Sequence, residues 1–220
     1  WATSMVACGD ADGAVTGNTR RFGASLDKIK QVVDVRDGEI MFGLNMVVHK
    51  GKTIFVGDTS VHEYPTSEQM AEMAISAARV VRLFGFDPKV AFVSHSTFGQ
   101  PLTSRTKHIK NAVEILKNKK VNFEFDGDMQ PDVALNKEYQ NLYPFSKIVG
   151  NANILIMPGQ HSAAISYKMM KELGDTKVIG PLLIGLGLPI EIAPLRSSTS
   201  EILNLASIAA YSADVIDYKK

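Results

Sequence analysis

The sequence has 220 residues, 45% hydrophobic and 21% charged, with 24 Lys and Arg against 23 Asp and Glu. These values are ordinary for a globular protein and leave room for one large domain or two small ones. A balanced charge without a sustained basic block gives no support to a nucleic-acid partner, the single cysteine (Cys8) excludes a disulfide framework and a thiolate metal cluster, and the longest apolar runs are too short to cross a membrane.

The lone cysteine fits a reducing cytoplasm. The start at Trp1 carries no signal-peptide pattern and no initiator Met, so an internal fragment is expected.

Residues 9–17 are glycine-rich but lack the G-x-G-x-x-G spacing, so no dinucleotide fingerprint is supported there. Residues 41–48 and 53–57 are apolar and β-rich on either side of Lys50 and Gly51, which predicts a hairpin. Thr66 with Gln69 three residues on has capping-box spacing. Beyond it Met70, Met73, Ala74, Ala77, Val81 and Phe84 recur on one helical face, and Gly85 supplies the stop.

Residues 90–93 read as a short strand leading into the polar loop 94–100. Residues 103–118 form a basic amphipathic helix with Ile109, Ala112, Val113 and Leu116 inward. Residues 121–125 alternate as a strand, and the acidic stretch 126–129 reads as the loop at its end. A strand at 153–157 is closed by Pro158, a helix at 162–173 ends at Gly174, and a last helix covers 200–213. Gly180 with Pro181, and residues 185–189, mark tight turns around a buried strand. Strands alternating with helices predict an α/β fold, a mostly parallel sheet with helices on both faces.

In such sheets ligands sit beyond the carboxyl ends of the strands. Three loops qualify, 94–100, 126–129 and 158–162, and they are expected to converge on one cleft. Ser94, Ser96 and Thr97 offer hydroxyls and loop amides suited to phosphate, with Arg105, Lys107 and Lys110 following on the helix. The alternative is a helix cap at Thr103 or Ser104 with solvated cations. Asp126, Asp128 and Asp132 form an acidic cluster that suits Mg²⁺ in donor type but not in calcium-loop spacing, and a strand-end turn explains it equally well. His95 beside Ser96 lacks both a nucleophile elbow and an orienting acid, and no histidine pair has zinc-site spacing.

Seven stretches in order resemble the phosphate acetyl/butyryltransferase family over nearly the whole chain. They are 11–17, 65–72, 92–97, 125–130, 150–153, 162–168 and 179–186. Residues 143–146, 157–163 and 192–195 look more like the branch of that family fused to malic enzymes. The resemblance implies a two-domain architecture of the isocitrate/isopropylmalate dehydrogenase type with its beginning missing. Residues 37–176 would form the second domain, and 1–36 with 177–220 a remnant of the first. It further implies an acyl-CoA ligand between the domains, with acetyl-CoA as an effector, and a homodimer or higher homo-oligomer. A malic-enzyme catalytic region on the same polypeptide would carry NADP and Mg²⁺ or Mn²⁺ outside these residues, with no cofactor or metal within them.

The expected ligand set is Ser94, Ser96, Thr97, Arg105, Asp128, Gln160, Gly180, Pro181, Leu195 and Arg196. One departure stands out. Active family members have a Ser-Arg pair where this chain has Pro194 and Leu195, and a second family arginine falls at Asp27. An apolar pair cannot stabilise the charge that develops in acyl transfer, so no catalytic residue is expected. Arg196, one position away, would compensate if the local alignment slips, Arg20, Arg21 and Arg105 are candidate phosphate contacts, and an active phosphate acyltransferase is the competing expectation.

Overall fold

The structure, a computed structural model, describes residues 1–216, the side chain of Arg105 excepted. The chain opens with α1 (Ala2–Cys8), β1 (Ala14–Gly17) and α2 (Phe22–Ile29). It continues through β2 (Phe42–His49), β3 (Lys52–Gly57), α3 (Ser67–Leu83), β4 (Lys89–Val93), α4 (Ser104–Lys119) and β5 (Glu124–Met129). After α5 (Pro131–Leu135) and α6 (Lys137–Gln140) come β6 (Ile154–Ile156), α7 (Gln160–Leu173), β7 (Thr176–Ile184), β8 (Ile190–Ala193) and α8 (Thr199–Val215).

Six strands form one sheet in the order β5-β4-β6-β3-β2-β7, and β1 with β8 form a second, parallel pair. The larger sheet is parallel from β5 to β3 and antiparallel at β2 and β7. The hairpin signal at Lys50 and Gly51 accounts for the first antiparallel pairing.

Period-two alternation sends side chains to the two faces. Val90 and Phe92 on β4, with Ile154 and Ile156 on β6, meet α3 and α4. Their neighbours Ala91, Val93 and Leu155 turn to the opposite face and meet Val133, Ala134 and Ala163 on α5 and α7. The helical stripe read from the sequence fits this plan: Met70, Met73, Ala74, Ala77 and Val81 are fully buried. Each such large apolar side chain contributes about 1.5–3 kcal/mol before chain entropy is counted. Thr66 and Gln69 form the expected capping box, and Thr103 forms one with Thr106 at the start of α4.

One expectation is corrected. The acidic stretch 126–129 is not a loop; it is the body of β5. Its buried carboxylates are tolerated because amides reach them: Lys147 N donates to Asp126 Oδ2 at 2.8 Å, and Gly99 N to Asp128 Oδ1 at 3.0 Å. β7 runs against β2 from Thr176 opposite His49 to Ile184 opposite Phe42.

The second layer is smaller. Ile190 and Ile192 on β8 pack with Leu26 and Ile29 of α2, while Ala193 packs with Leu205 of α8. Among the described residues no helix is long and apolar enough to cross a membrane.

Candidate functional site

A cleft of about 680 Å³ opens between α7 on one side and the start of α2, β8 and α8 on the other. Its floor comes from the loop after β3. There Asp58, 1% exposed, accepts hydrogen bonds from four backbone amides: Gly43 at 2.9 Å, Ser60 at 2.8 Å, Val61 at 3.1 Å and His62 at 2.7 Å. The His62 ring lies 2.7 Å from the same carboxylate through Nδ1. An aspartate that satisfies the next amides of its own loop is an Asx turn, and here it holds Thr59 and Ser60 at the cleft surface. Thr59 Oγ1 is itself tied to Asn45 Oδ1 at 2.7 Å.

The opposite wall is the segment 194–197 beyond β8. Arg196 adopts a left-handed backbone, with φ of 65°, and its amide donates to Asn18 O at 3.2 Å. Ser197 folds back, its hydroxyl donating to Pro194 O at 2.9 Å. Leu195 is 52% exposed on this wall and Pro194 beside it is half-buried. Gly180 and Pro181 of β7 line the back of the cleft. Gly180 has φ of 120°, and a Cβ there would sit 2.8 Å from Leu182 N, so only glycine fits.

Electrostatically the cleft favours anions. Arg21, Lys168, Lys171 and Arg196 line it against the carboxylates Glu172 and Glu201. Helix α2 starts at Arg21 with no capping side chain, which leaves first-turn amides and the positive end of the helix dipole at the cleft edge. Lys171 is paired with Glu201 at 2.8 Å, and that contact, with the Ser198 amide, lowers the Glu201 carboxyl below its ordinary range. Tyr167 also lines the cleft, and burial raises its phenol above the usual value.

The expected site residues divide. Gln160, Gly180, Pro181, Leu195 and Arg196 meet in this cleft. Ser94, Ser96, Thr97 and Asp128 are buried elsewhere: Ser94 Oγ lies 3.0 Å from Ser96 Oγ, Ser96 Oγ donates to Asp128, and Thr97 Oγ1 accepts from Gln130 N at 3.2 Å. They form a latch between the loops after β4 and along β5, not a wall of the cleft. The convergence of three loops is thus partial, because 94–100 and 126–129 close on each other while only Gln160 of the third reaches the cleft. The expectation for Arg105 falls on a side chain outside the described set. Asp27 is exposed on α2, and Arg20 faces a separate depression with Lys28.

Sequence reasoning passed over Asp58, Lys168 and Lys171. The Asp-Thr-Ser turn after a strand was a legible signal for the first, and the cationic pair three residues apart on one helix for the others. Among the described residues no group of three or more His, Cys, Asp or Glu side chains is placed to hold a metal ion.

The comparisons with known proteins agree with this architecture. The profile described as Phosphate acetyl/butaryl transferase matches residues 1–210. An NADP-dependent malic enzyme of Rhizobium meliloti is 46% identical over 213 residues, which are 97% of this chain and 28% of that protein. A phosphate acetyltransferase of Clostridium acetobutylicum is 32% identical over 97% of this chain and 67% of its own length. The crystal structure of a phosphotransacetylase from Streptococcus pyogenes superposes with a TM-score of 0.90 at 29% identity, covering 96% of this chain and 66% of that one. The chain therefore spans just over a quarter of the malic enzyme it matches and about two thirds of the transferases.

Proposed function

The chain belongs to the phosphate acetyl/butyryltransferase family, and on that premise we propose that its cleft binds an acyl-CoA without transferring the acyl group. In this reading the region serves as the regulatory part of an NADP-dependent malic enzyme, with acetyl-CoA as its effector. Malate decarboxylation, with its NADP and divalent metal, belongs to a catalytic region of the same polypeptide, and the assembly is a homo-oligomer.

One observation carries the reading. Pro194 and Leu195 stand on the cleft wall where the family resemblance implies a hydroxyl and a guanidinium. Acyl transfer between CoA and phosphate needs a polarised sulfur and a neutralised phosphate, and proline and leucine offer neither. Binding asks for less. Four cations, an uncapped helix start and an apolar surface suffice to hold a phosphate-bearing thioester. A bound ligand that does not react can act only through unequal affinity for two states of the protein.

The test is made on the full-length polypeptide. Calorimetry should give saturable acetyl-CoA binding, incubation with acetyl-CoA and phosphate should yield no acetyl phosphate, and malate-dependent NADP reduction should change on adding acetyl-CoA. Robust acetyl phosphate formation would establish instead the second reading, an active phosphate acyltransferase. Arg196 is what favours that alternative, since it presents a guanidinium one position beyond Leu195 in the same wall.

A further inference from the structure

Asn45 on β2 is 0% exposed, and among the described residues its Nδ2 has no hydrogen-bond partner. An unpaired amide nitrogen in that setting is costly, and native interiors hold few. The residue stands directly behind the cleft. β2 pairs with β7 on either side of it, Leu44 opposite Leu182 and Met46 opposite Ile179, so Gly180 and Pro181 bulge against Asn45, and both line the cleft. On the same face of β2, a Cβ at Gly43 would meet Ser60 Cβ at 2.7 Å and Thr59 Oγ1 at 3.0 Å, so glycine there leaves room for the two hydroxyls of the cleft floor.

Those hydroxyls and the amide form one chain. Thr59 Oγ1 has a single proton and two acceptors, Asn45 Oδ1 at 2.7 Å and Gly43 O at 3.2 Å, and it lies 3.4 Å from Ser60 Oγ. Gly43 O is already served by the Thr59 amide at 2.9 Å. While Thr59 donates to Oδ1, the Asn45 nitrogen is idle. Half a turn of the carboxamide offers Nδ2 to Thr59 Oγ1 instead and frees the Thr59 proton for Ser60 Oγ. Ser60, half-buried at the cleft surface, can then aim its own proton into the cleft. Each orientation leaves one atom of the amide unpaired, so an acceptor in the cleft decides between them.

We propose that Asn45, Thr59 and Ser60 are a donor chain, and that Ser60 Oγ donates at its end to the thioester carbonyl oxygen of the acyl-CoA. The assignment rests on the reading that the cleft binds such a ligand. The chemistry selects the carbonyl. Phosphates carry charge, which Arg21, Lys168, Lys171 and Arg196 match from the cleft walls. A chain of neutral donors suits a neutral oxygen, and free CoA has no carbonyl at its sulfur. Ser60 is thereby the contact that tells an acyl-CoA from CoA, and Asn45 and Thr59 are its positioning residues.

The experiment is calorimetry of the full-length polypeptide with acetyl-CoA and with CoA. The unaltered protein should prefer acetyl-CoA by about threefold to tenfold. Ser60→Ala, Thr59→Val and Asn45→Leu should each bring that ratio close to one with CoA affinity unchanged, whereas Thr59→Ser, which keeps the hydroxyl, should retain it. CoA affinity reports a folded cleft in every variant, and Ser60→Ala leaves the buried pair intact should the other two fail to fold. Equal affinity for the two ligands in the unaltered protein, a preserved preference in Ser60→Ala, or equal weakening of both ligands by it would overturn the assignment while the cleft still binds CoA. Binding of neither ligand by the unaltered protein would overturn the reading of the cleft and this assignment with it.

Discussion

Lys171 on α7 is joined to Glu201 on α8 across the cleft, its Nζ 2.8 Å from the carboxylate Oε1. The pair links a helix of the larger layer to a helix of the smaller one, and both side chains are partly exposed, at 44% and 30%. Ion pairs of that exposure contribute little to stability, up to about 1 kcal/mol. The Glu201 carboxyl is held below its ordinary value, so the contribution is present above about pH 4.5 and is lost as acid protonates Glu201 below it. Lys171→Met should therefore move the unfolding free energy by less than about 1 kcal/mol. The same change should weaken acetyl-CoA by about fivefold to tenfold, because a phosphate contact is lost. Denaturant titration beside calorimetry separates the two effects.

Leu195 offers the opposite manipulation. Leu195→Arg places a guanidinium on the exposed cleft wall, where it adds to four cations already present. Acetyl-CoA affinity should rise by about threefold to tenfold at low salt, and the gain should shrink as salt is added. A gain that is insensitive to ionic strength would point to packing and not to charge.

Gly180→Ala tests the back of the cleft. The backbone there is left-handed, and the added carbon would sit 2.8 Å from Leu182 N and 3.0 Å from Leu44 O. Destabilisation of about 2–4 kcal/mol is expected, read as a lower denaturation midpoint with an unchanged slope.

Asp58 should be more sensitive still. Asp58→Ala strands four amides that now converge on one carboxylate, with an expected cost of about 3–5 kcal/mol. Asp58→Asn keeps one acceptor oxygen and should cost about 1–3 kcal/mol. Thermal melts of the two variants should rank in that order.

Glu191 gives the protein a pH dependence of definite sign. Its folded pKa of about 8 lies above the ordinary 4.5, so the unfolded chain releases this proton first. Stability should fall as pH rises from about 4.5 to about 8, by up to about 1.4 kcal/mol per unit, and then level off. Glu191→Gln should flatten that segment of the profile. Arg36, Glu39, Arg79 and Tyr211, which line the same cavity between α3, β7, β8 and α8 as Glu191, are common to both proteins, so the difference curve isolates the glutamate.

What the sequence disclosed depended on how local the cause was. The α3 stripe from Met70 to Val81, the capping box at Thr66 and the hairpin at Lys50 are short-range patterns, and each appears where periodicity placed it. β5 escaped because Asp126 and Asp128 look like loop residues until the amides of Lys147 and Gly99 are brought to them from distant segments. The cleft was half legible for the same reason. Gly180, Pro181, Leu195 and Arg196 were named through family likeness, whereas Lys168 and Lys171 become cleft residues only once α7 is folded against the segment 194–197. Ser96 shows the same limit, because a hydroxyl in a strand-end loop does not announce that it donates to a buried carboxylate on β5.

The two inward aspartates of β5 also bear on how the molecule behaves among copies of itself. β5 is the outermost strand of the larger sheet, the place where a neighbouring chain would add a strand. Along that margin the segment 147–149 is fastened by side-chain acceptors, with Lys147 N on Asp126 and Val149 N on Glu124 at 2.7 Å. A chain approaching to pair there would have to displace those bonds and strand a buried acid. The margin is thereby guarded against fibrous growth, and a loss of either carboxylate should show itself first as turbidity on standing and not as a change in ligand binding.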